Sequence, residues 1–280
     1  MGSSKWVLFT MAFVAVAGCQ DYKYAKLPPK DSAQVHAAVS LCPSTTELAQ
    51  VYLSIPVVGR AQSDDHPSSV ANIQVVMDGV HPNVEAILQT GADGVLYDPA
   101  LIGKADLDKL SQHHLVLIPI GGNSLESFEK SLYQAADLAR AQTNTEDYID
   151  NQITANLQAA AVKNSPTVAL LMAGQGSEHM IDGTDSFQAD ILKKIGAKPV
   201  GPDAKMFVPL NVEELTKDNP DVILVAGAPD PIANDPRLAG LKAVKSKHVY
   251  GLKPDIALRE GGHIPDLIKG MGEAIVDSQK

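Results

Sequence analysis

The chain has two cysteines and one tryptophan in 280 residues, and all but one cysteine fall in its first nineteen positions. Beyond Cys19 only Cys42 remains, so an internal disulfide and any multi-cysteine zinc or iron–sulfur centre are excluded. Trp6 belongs to the same N-terminal stretch, which leaves the rest of the chain without a tryptophan. Basic residues are also scarce: 23 Lys and Arg stand against 33 Asp and Glu, for a formal charge of −10. With no dense Lys/Arg run, nucleic acid and anionic lipid surfaces are poor partners. Nor does any apolar run reach the roughly 20 residues that cross a bilayer.

What is present begins at Lys5, which precedes an apolar run from Trp6 to Ala17 and then Gly18-Cys19. A short apolar core ending in small residues reads as a secretory signal over residues 1–18. The sequence Val16-Ala17-Gly18-Cys19 resembles a bacterial lipobox, which implies cleavage before Cys19 and acylation of its sulfur; an ordinary signal with an incidental cysteine is the alternative. Residues 19–33 are polar and proline-bearing, without periodicity, and read as a tether. The mature chain is expected to touch a membrane only through its lipid. Roughly 260 residues remain, enough for one large domain or two modest ones.

Along these residues short apolar runs alternate with helical spacing. Val35 to Leu41, Gly94 to Tyr97 and Leu115 to Ile120 read as buried strands, with helical patterns over Thr45 to Leu53, Asn83 to Gln89 and Lys104 to His113. This is the signature of parallel α/β layering over 34–122. The alternation stops over 123–164. There Leu125, Phe128, Leu132 and Ala135 mark one helix, and Ile149, Ile153, Leu157 and Ala160 a second, with Thr145 as its expected N-cap. Over 165–280 alternation resumes, with strands at Thr167 to Met172, Val222 to Val225 and His248 to Leu252, and helices at Phe187 to Ile195 and Ile264 to Val276. The fold expected is α/β: two Rossmann-like lobes with parallel sheets joined by a single long α-helix. Ligands of open α/β sheets sit beyond the carboxyl ends of the strands, so a cleft between the lobes is where function is sought.

Ser40-Leu41-Cys42-Pro43-Ser44-Thr45-Thr46-Glu47 resembles the opening motif of class III solute-binding proteins of ABC importers, the cobalamin, haem and ferric-siderophore family. Pro56-Val57-Val58-Gly59, Asp65-His66-Pro67, Pro82-Asn83-Val84-Glu85-Ala86-Ile87-Leu88, Asn219-Pro220-Asp221-Val222-Ile223-Leu224 and Ala226-Gly227-Ala228-Pro229-Asp230 agree in order. The likeness covers nearly all the chain beyond the leader and is closest to the cobalamin-binding branch. It implies two lobes bridged by a long helix, a metal chelate clamped between them, no catalytic cofactor and no enzymatic activity. It also implies delivery to a permease dimer by an extracytoplasmic, lipid-anchored, monomeric protein. Glu85 and Glu213 match the family's acidic residues that dock on permease arginines, where a carboxylate forms paired, charge-assisted hydrogen bonds; both also suit an early helical turn.

For the ligand the signals divide. Positions where the cobalamin-binding branch carries cleft aromatics are Gly79 and Asp98 here, yet Asp255 and Arg259 match the spacing of its polar contacts. His66, His81, His179 and His263 fall in expected strand-to-helix loops, and imidazole coordinates iron or cobalt. His81 and His263 sit in or beside the loops from which haem-binding relatives supply axial ligands. Haem and a corrinoid are therefore both candidate ligands, with a ferric siderophore or a bare metal ion as alternatives. Arg60, Lys205 and Lys253, with Arg259, are cations suited to ligand carboxylates. Gly121-Gly122 and Gly261-Gly262 read as turns needing positive φ, and Gly174-Gln175-Gly176-Ser177 lacks a phosphate-loop ending. Asp64, Asp65 and His66 with Asp78 and His81 give the competing reading, a hydrolytic metal centre. A lipoprotein with an interaction role and no small ligand is the third class.

Overall fold

The computed structural model describes residues 34–280 apart from 177; the signal, Cys19 and the tether expected over 19–33 lie outside the described residues. The N-terminal half runs β1 (Ala38–Ser40), α1 (Pro43–Val51), β2 (Val57–Ala61), β3 (Val75–Asp78), β4 (His81–Pro82), α2 (Val84–Gln89), β5 (Gly94–Tyr97), α3 (Lys104–Ser111) and β6 (Val116–Pro119). Its sheet has the order β4-β3-β2-β1-β5-β6, parallel except for the β3–β4 hairpin. The sheet order reverses around β1, which places the loops after β1 and β5 beside a crevice.

Three helical pieces follow: α4 (Leu125–Ala139), α5 (Gln142–Glu146) and α6 (Ala155–Ala159), with the π-helical turn Asp147–Thr154 joining the last two. The C-terminal half runs β7 (Thr167–Met172), β8 (Met180–Ile181), α7 (Phe187–Lys194), β9 (Lys198–Pro199), β10 (Val208–Pro209), α8 (Val212–Asp218), β11 (Val222–Ala226), α9 (Asp230–Ala233), α10 (Lys242–Lys245), β12 (Val249–Leu252), α11 (Pro254–Ala257) and α12 (Ile264–Asp277). Its second sheet has the order β10-β8-β7-β11-β12, with β9 also on β7. The chain thus forms two α/β lobes with helices between them.

Strand alternation explains how the lobes are held together. In β5, Leu96 faces one core while Val95 and Tyr97 face another; in β11, Val222 and Leu224 face the first core while Ile223 and Val225 face a third. That first core is continuous across both sheets, α1, α4, the 142–159 helix and α12. Both faces of β11 are therefore buried, which is why it reads as the unbroken apolar run Val-Ile-Leu-Val-Ala.

The helical segment differs from a single straight connector. Ser124 and Ser127 form a reciprocal cap on α4, and Leu125, Phe128, Leu132, Ala135 and Ala136 form its buried stripe. The helix stops at Arg140, whose φ of 57° closes it in the left-handed region. A second helix starts at once with Gln142, so Thr145 is not its N-cap: the Thr145 amide already donates to the Ala141 carbonyl, and its side chain is buried. Tyr148, in the π-helical turn, stacks on Tyr52 of the first lobe at 4.0 Å between ring centres and donates its hydroxyl to Gly261 O of the second at 2.7 Å. The 142–159 helix consequently grips both lobes. No helix among the described residues is long and apolar enough to cross a membrane.

Candidate functional site

The loops at the carboxyl ends of β1, β2 and β5 meet the segment between α11 and α12. Glu47, on the first turns of α1, is the pivot. Its Oε2 accepts from the Gly262 amide at 3.0 Å, and its Oε1 lies 3.0 Å from His263 Nε2. Gly261 and Gly262 do not have the positive φ expected of them. They are glycine because the backbone packs against α1: a Cβ on Gly261 would lie 3.1 Å from Ser44 Cα, and one on Gly262 2.8 Å from Glu47 Cδ. Gly121 does need its freedom, with φ at 141°.

His263 is bracketed, since its Nδ1 meets Asp266 Oδ2 at 2.8 Å. Both ring nitrogens face carboxylates, so in this arrangement neither offers a lone pair to a metal, unlike the axial role expected of it. His66 comes from the other lobe and sets its ring edge against that of His263, 5.9 Å between centres. Beside them Arg259 crosses between lobes to Asp65, Nη1 to Oδ1 at 2.8 Å and Nη2 to Oδ2 at 3.2 Å. This guanidinium holds the Asp65 carboxyl below its ordinary range. Asp255, exposed in the first turn of α11, adds to the field on Arg259.

A second bridge lies deeper. Glu260 accepts from the Gly122 amide at 2.9 Å and is half-buried near Asp98, so desolvation first and the Asp98 charge second push its carboxyl from 4.5 up to about 8. Burial also raises Asp98. Asp64 accepts from Thr46 Oγ1 and from the Ala61 amide, while burial lifts it to about 6. A neutral Glu260 contributes stability that is complete below its ordinary value of 4.5 and is lost as pH rises through about 8. Glu260→Gln should therefore flatten the fall in melting temperature over that window. Parallel pH profiles for the variant and the parent would contradict this.

The remaining expected site residues go elsewhere. His179 is enclosed in the second lobe, 3% exposed, with Nε2 at 3.2 Å from Asp235 Oδ2 and Nδ1 at 3.3 Å from the Gly174 amide. It is spent on the lobe's own structure and does not join His66 and His263. His81, at the β3–β4 hairpin, is exposed, with Nδ1 at 2.8 Å from Asp106 Oδ2. That partner orients the ring and leaves Nε2 outward, the arrangement that second-shell carboxylates give metal-binding histidines. Arg60 is not a free cation: Nη1 donates to Ala61 O at 2.9 Å and to Asp64 O at 3.3 Å, and Nη2 to Ala71 O at 3.3 Å. It fastens the loop that carries Asp65 and His66.

Asp64, Asp65, His66, Asp78 and His81 do not converge as a hydrolytic centre would need; Asp65 turns to Arg259 and His81 to Asp106. Among the described residues no three His, Cys, Asp or Glu side chains are grouped to hold a metal ion. Cys42 is buried against Thr45 at 3.1 Å, and burial raises its thiol, so it is a packed residue with little thiolate character.

Sequence reasoning named Arg259 and His263 but did not assign Glu47, Asp65 and Glu260 to this constellation. Glu47 was visible only as a letter inside a motif, and Asp65 only as another such letter and as a member of the competing hydrolytic centre. Glu260 carried no signal beyond adjacency to Arg259.

Glu85 and Glu213 stand apart from the floor, each exposed in the first turn of its helix. Their settings match. Short β4 and β10 each end in proline and pair antiparallel, β4 with β3 and β10 with β8. An asparagine then caps the helix: Asn83 Oδ1 accepts from Ala86 N, and Asn211 Oδ1 from Glu213 N and Glu214 N.

A model of the family described as periplasmic binding protein matches residues 39–256. The chain belongs to that family. The ABC transporter substrate-binding lipoprotein YvrC of Bacillus subtilis strain 168 is 26% identical over 302 residues, spanning 96% of this chain and 94% of YvrC. The high-affinity heme uptake system protein IsdE of Staphylococcus aureus is 26% identical over 236 residues, spanning 76% of this chain and 78% of IsdE. The periplasmic vitamin B12 binding protein BtuF of Vibrio cholerae superposes with a TM-score of 0.77 at 16% identity, covering 89% of this chain and 100% of BtuF. That last likeness is one of fold.

Proposed function

We propose that this member of the periplasmic binding protein family is the extracytoplasmic solute-binding component of an ABC importer, and that it carries a tetrapyrrole metal chelate between its two lobes. The observation that carries this reading is the convergence of Glu47, Asp65, His66, Arg259 and His263 from both lobes at the carboxyl ends of the strands. A bulky solute held there touches both lobes at once, so capture and lobe position are coupled. The exposed apolar side chains Val80, Leu101 and Leu258 lie on loops of the same end and offer surface for a flat ligand. The kinship with YvrC and IsdE supports the importer role, and the lipobox-like Val16-Ala17-Gly18-Cys19 supports lipid anchoring through Cys19.

Between the two tetrapyrroles, the floor favours a corrinoid. Glu47, Asp65 and Asp266 line it and Arg259 is already paired with Asp65, whereas haem brings two carboxylates that need free cations. His81, exposed and held at Nδ1 by Asp106, is the imidazole best prepared to coordinate if haem is carried, and His66 is the floor histidine not bracketed by two carboxylates as His263 is. Native mass spectrometry of protein isolated from its own cells tests the reading. A retained corrinoid or haem supports it; a retained sugar, amino acid or peptide in its place overturns it.

A further inference from the structure

We propose that Asp65 is a specificity-determining residue of the interlobe site: by occupying the Arg259 guanidinium it denies that cation to ligands that bind through carboxylates. The inference rests on the tetrapyrrole reading above. Arg259 presents both terminal nitrogens to the two oxygens of Asp65, at 2.8 and 3.2 Å. This fork-to-fork geometry is the one a propionate would need. An incoming carboxylate must therefore displace Asp65 and leave it unpaired near Glu47 and Asp255, which also act on Arg259. A ligand edged by neutral amides is spared that step. Discrimination of this kind works by raising the cost of the wrong ligand.

The neighbouring cation does not compensate, because Arg60 is committed to the carbonyls of its own loop. Asp65 is a tractable position, its side chain 59% exposed against 25% for Arg259, so its substitution leaves the cores untouched.

Hemin and hemin dimethyl ester share iron and macrocycle and differ in free carboxylates, so their dissociation constants isolate the effect. Both are titrated into the parent, Asp65→Asn, Arg259→Gln and the double variant. Asp65→Asn is expected to tighten hemin about tenfold, to change the ester by less than about threefold, and to lose its effect on hemin in the Arg259→Gln background. Equal responses of the two compounds, or a gain that persists without Arg259, overturn the proposal while leaving the tetrapyrrole reading intact. Failure of both compounds and of cobalamin to bind any of the four proteins overturns that reading and this inference with it.

Discussion

Reversing charge at both proposed docking positions, Glu85→Arg with Glu213→Arg, is expected to abolish importer-dependent uptake while ligand affinity stays within about tenfold, or about 1.4 kcal/mol. The separation of effects follows from position. The glutamates lie on helices α2 and α8, which follow the edge strands β4 and β10, and neither touches the group formed by Glu47, Asp65, Arg259 and His263. Each is exposed in the first turn beside an asparagine cap, so the carboxylate is held at a rigid helix end and free to form paired hydrogen bonds with an arginine. The repeated Pro, Asn and Glu pattern in both lobes gives two equivalent contacts, as a two-subunit permease requires. Under the docking reading, arginine at these positions would meet the permease's own arginines; it also opposes the helix dipole. Uptake that survives the double reversal, or ligand affinity that collapses with it, would remove the docking assignment.

The largest effect expected on stability is at Phe128, where truncation to alanine should cost about 3–5 kcal/mol. Phe128 is fully buried and packs edge-on against Phe187 of α7, 5.9 Å between ring centres. It therefore joins α4 to the second lobe from within the continuous core. A cavity there removes contacts from both lobes at once, and relaxation is restrained by the capped N-terminus of α4. Urea unfolding followed by circular dichroism measures the loss, with an unchanged m-value confirming that stability alone has moved. A loss under about 1 kcal/mol would mean that the lobes do not depend on this contact.

The strands and helices that bury both faces or carry a clear stripe were legible in the sequence. Gly94–Tyr97 and Thr167–Met172 have the bounds that their apolar runs suggest, and α4 buries the residues its spacing marks. The two-residue strands β4, β8, β9 and β10 were not legible, because they are fixed by pairing with β3, β7 and, for β10, β8 rather than by their own pattern. The break at Arg140 was hidden for a related reason: an arginine in the left-handed region carries no local signature, and the helix resumes two residues later.

The site was half visible. The family resemblance pointed to Arg259 and loop position to His263, but loop position alone also nominated His179, whose fate was decided by a partner 56 residues away, Asp235. Pairings across such distances, like Asp65 with Arg259 at a separation of 194 residues, appear only once the lobes are assembled.

Whether the interlobe floor takes a tetrapyrrole, and a corrinoid ahead of haem as proposed above, is tested most directly by calorimetric titration of one protein preparation with cobalamin, hemin and a ferric siderophore. The expected result is saturable one-site binding of cobalamin, weaker binding of hemin and none of the siderophore. Siderophore binding with neither tetrapyrrole bound would contradict the account.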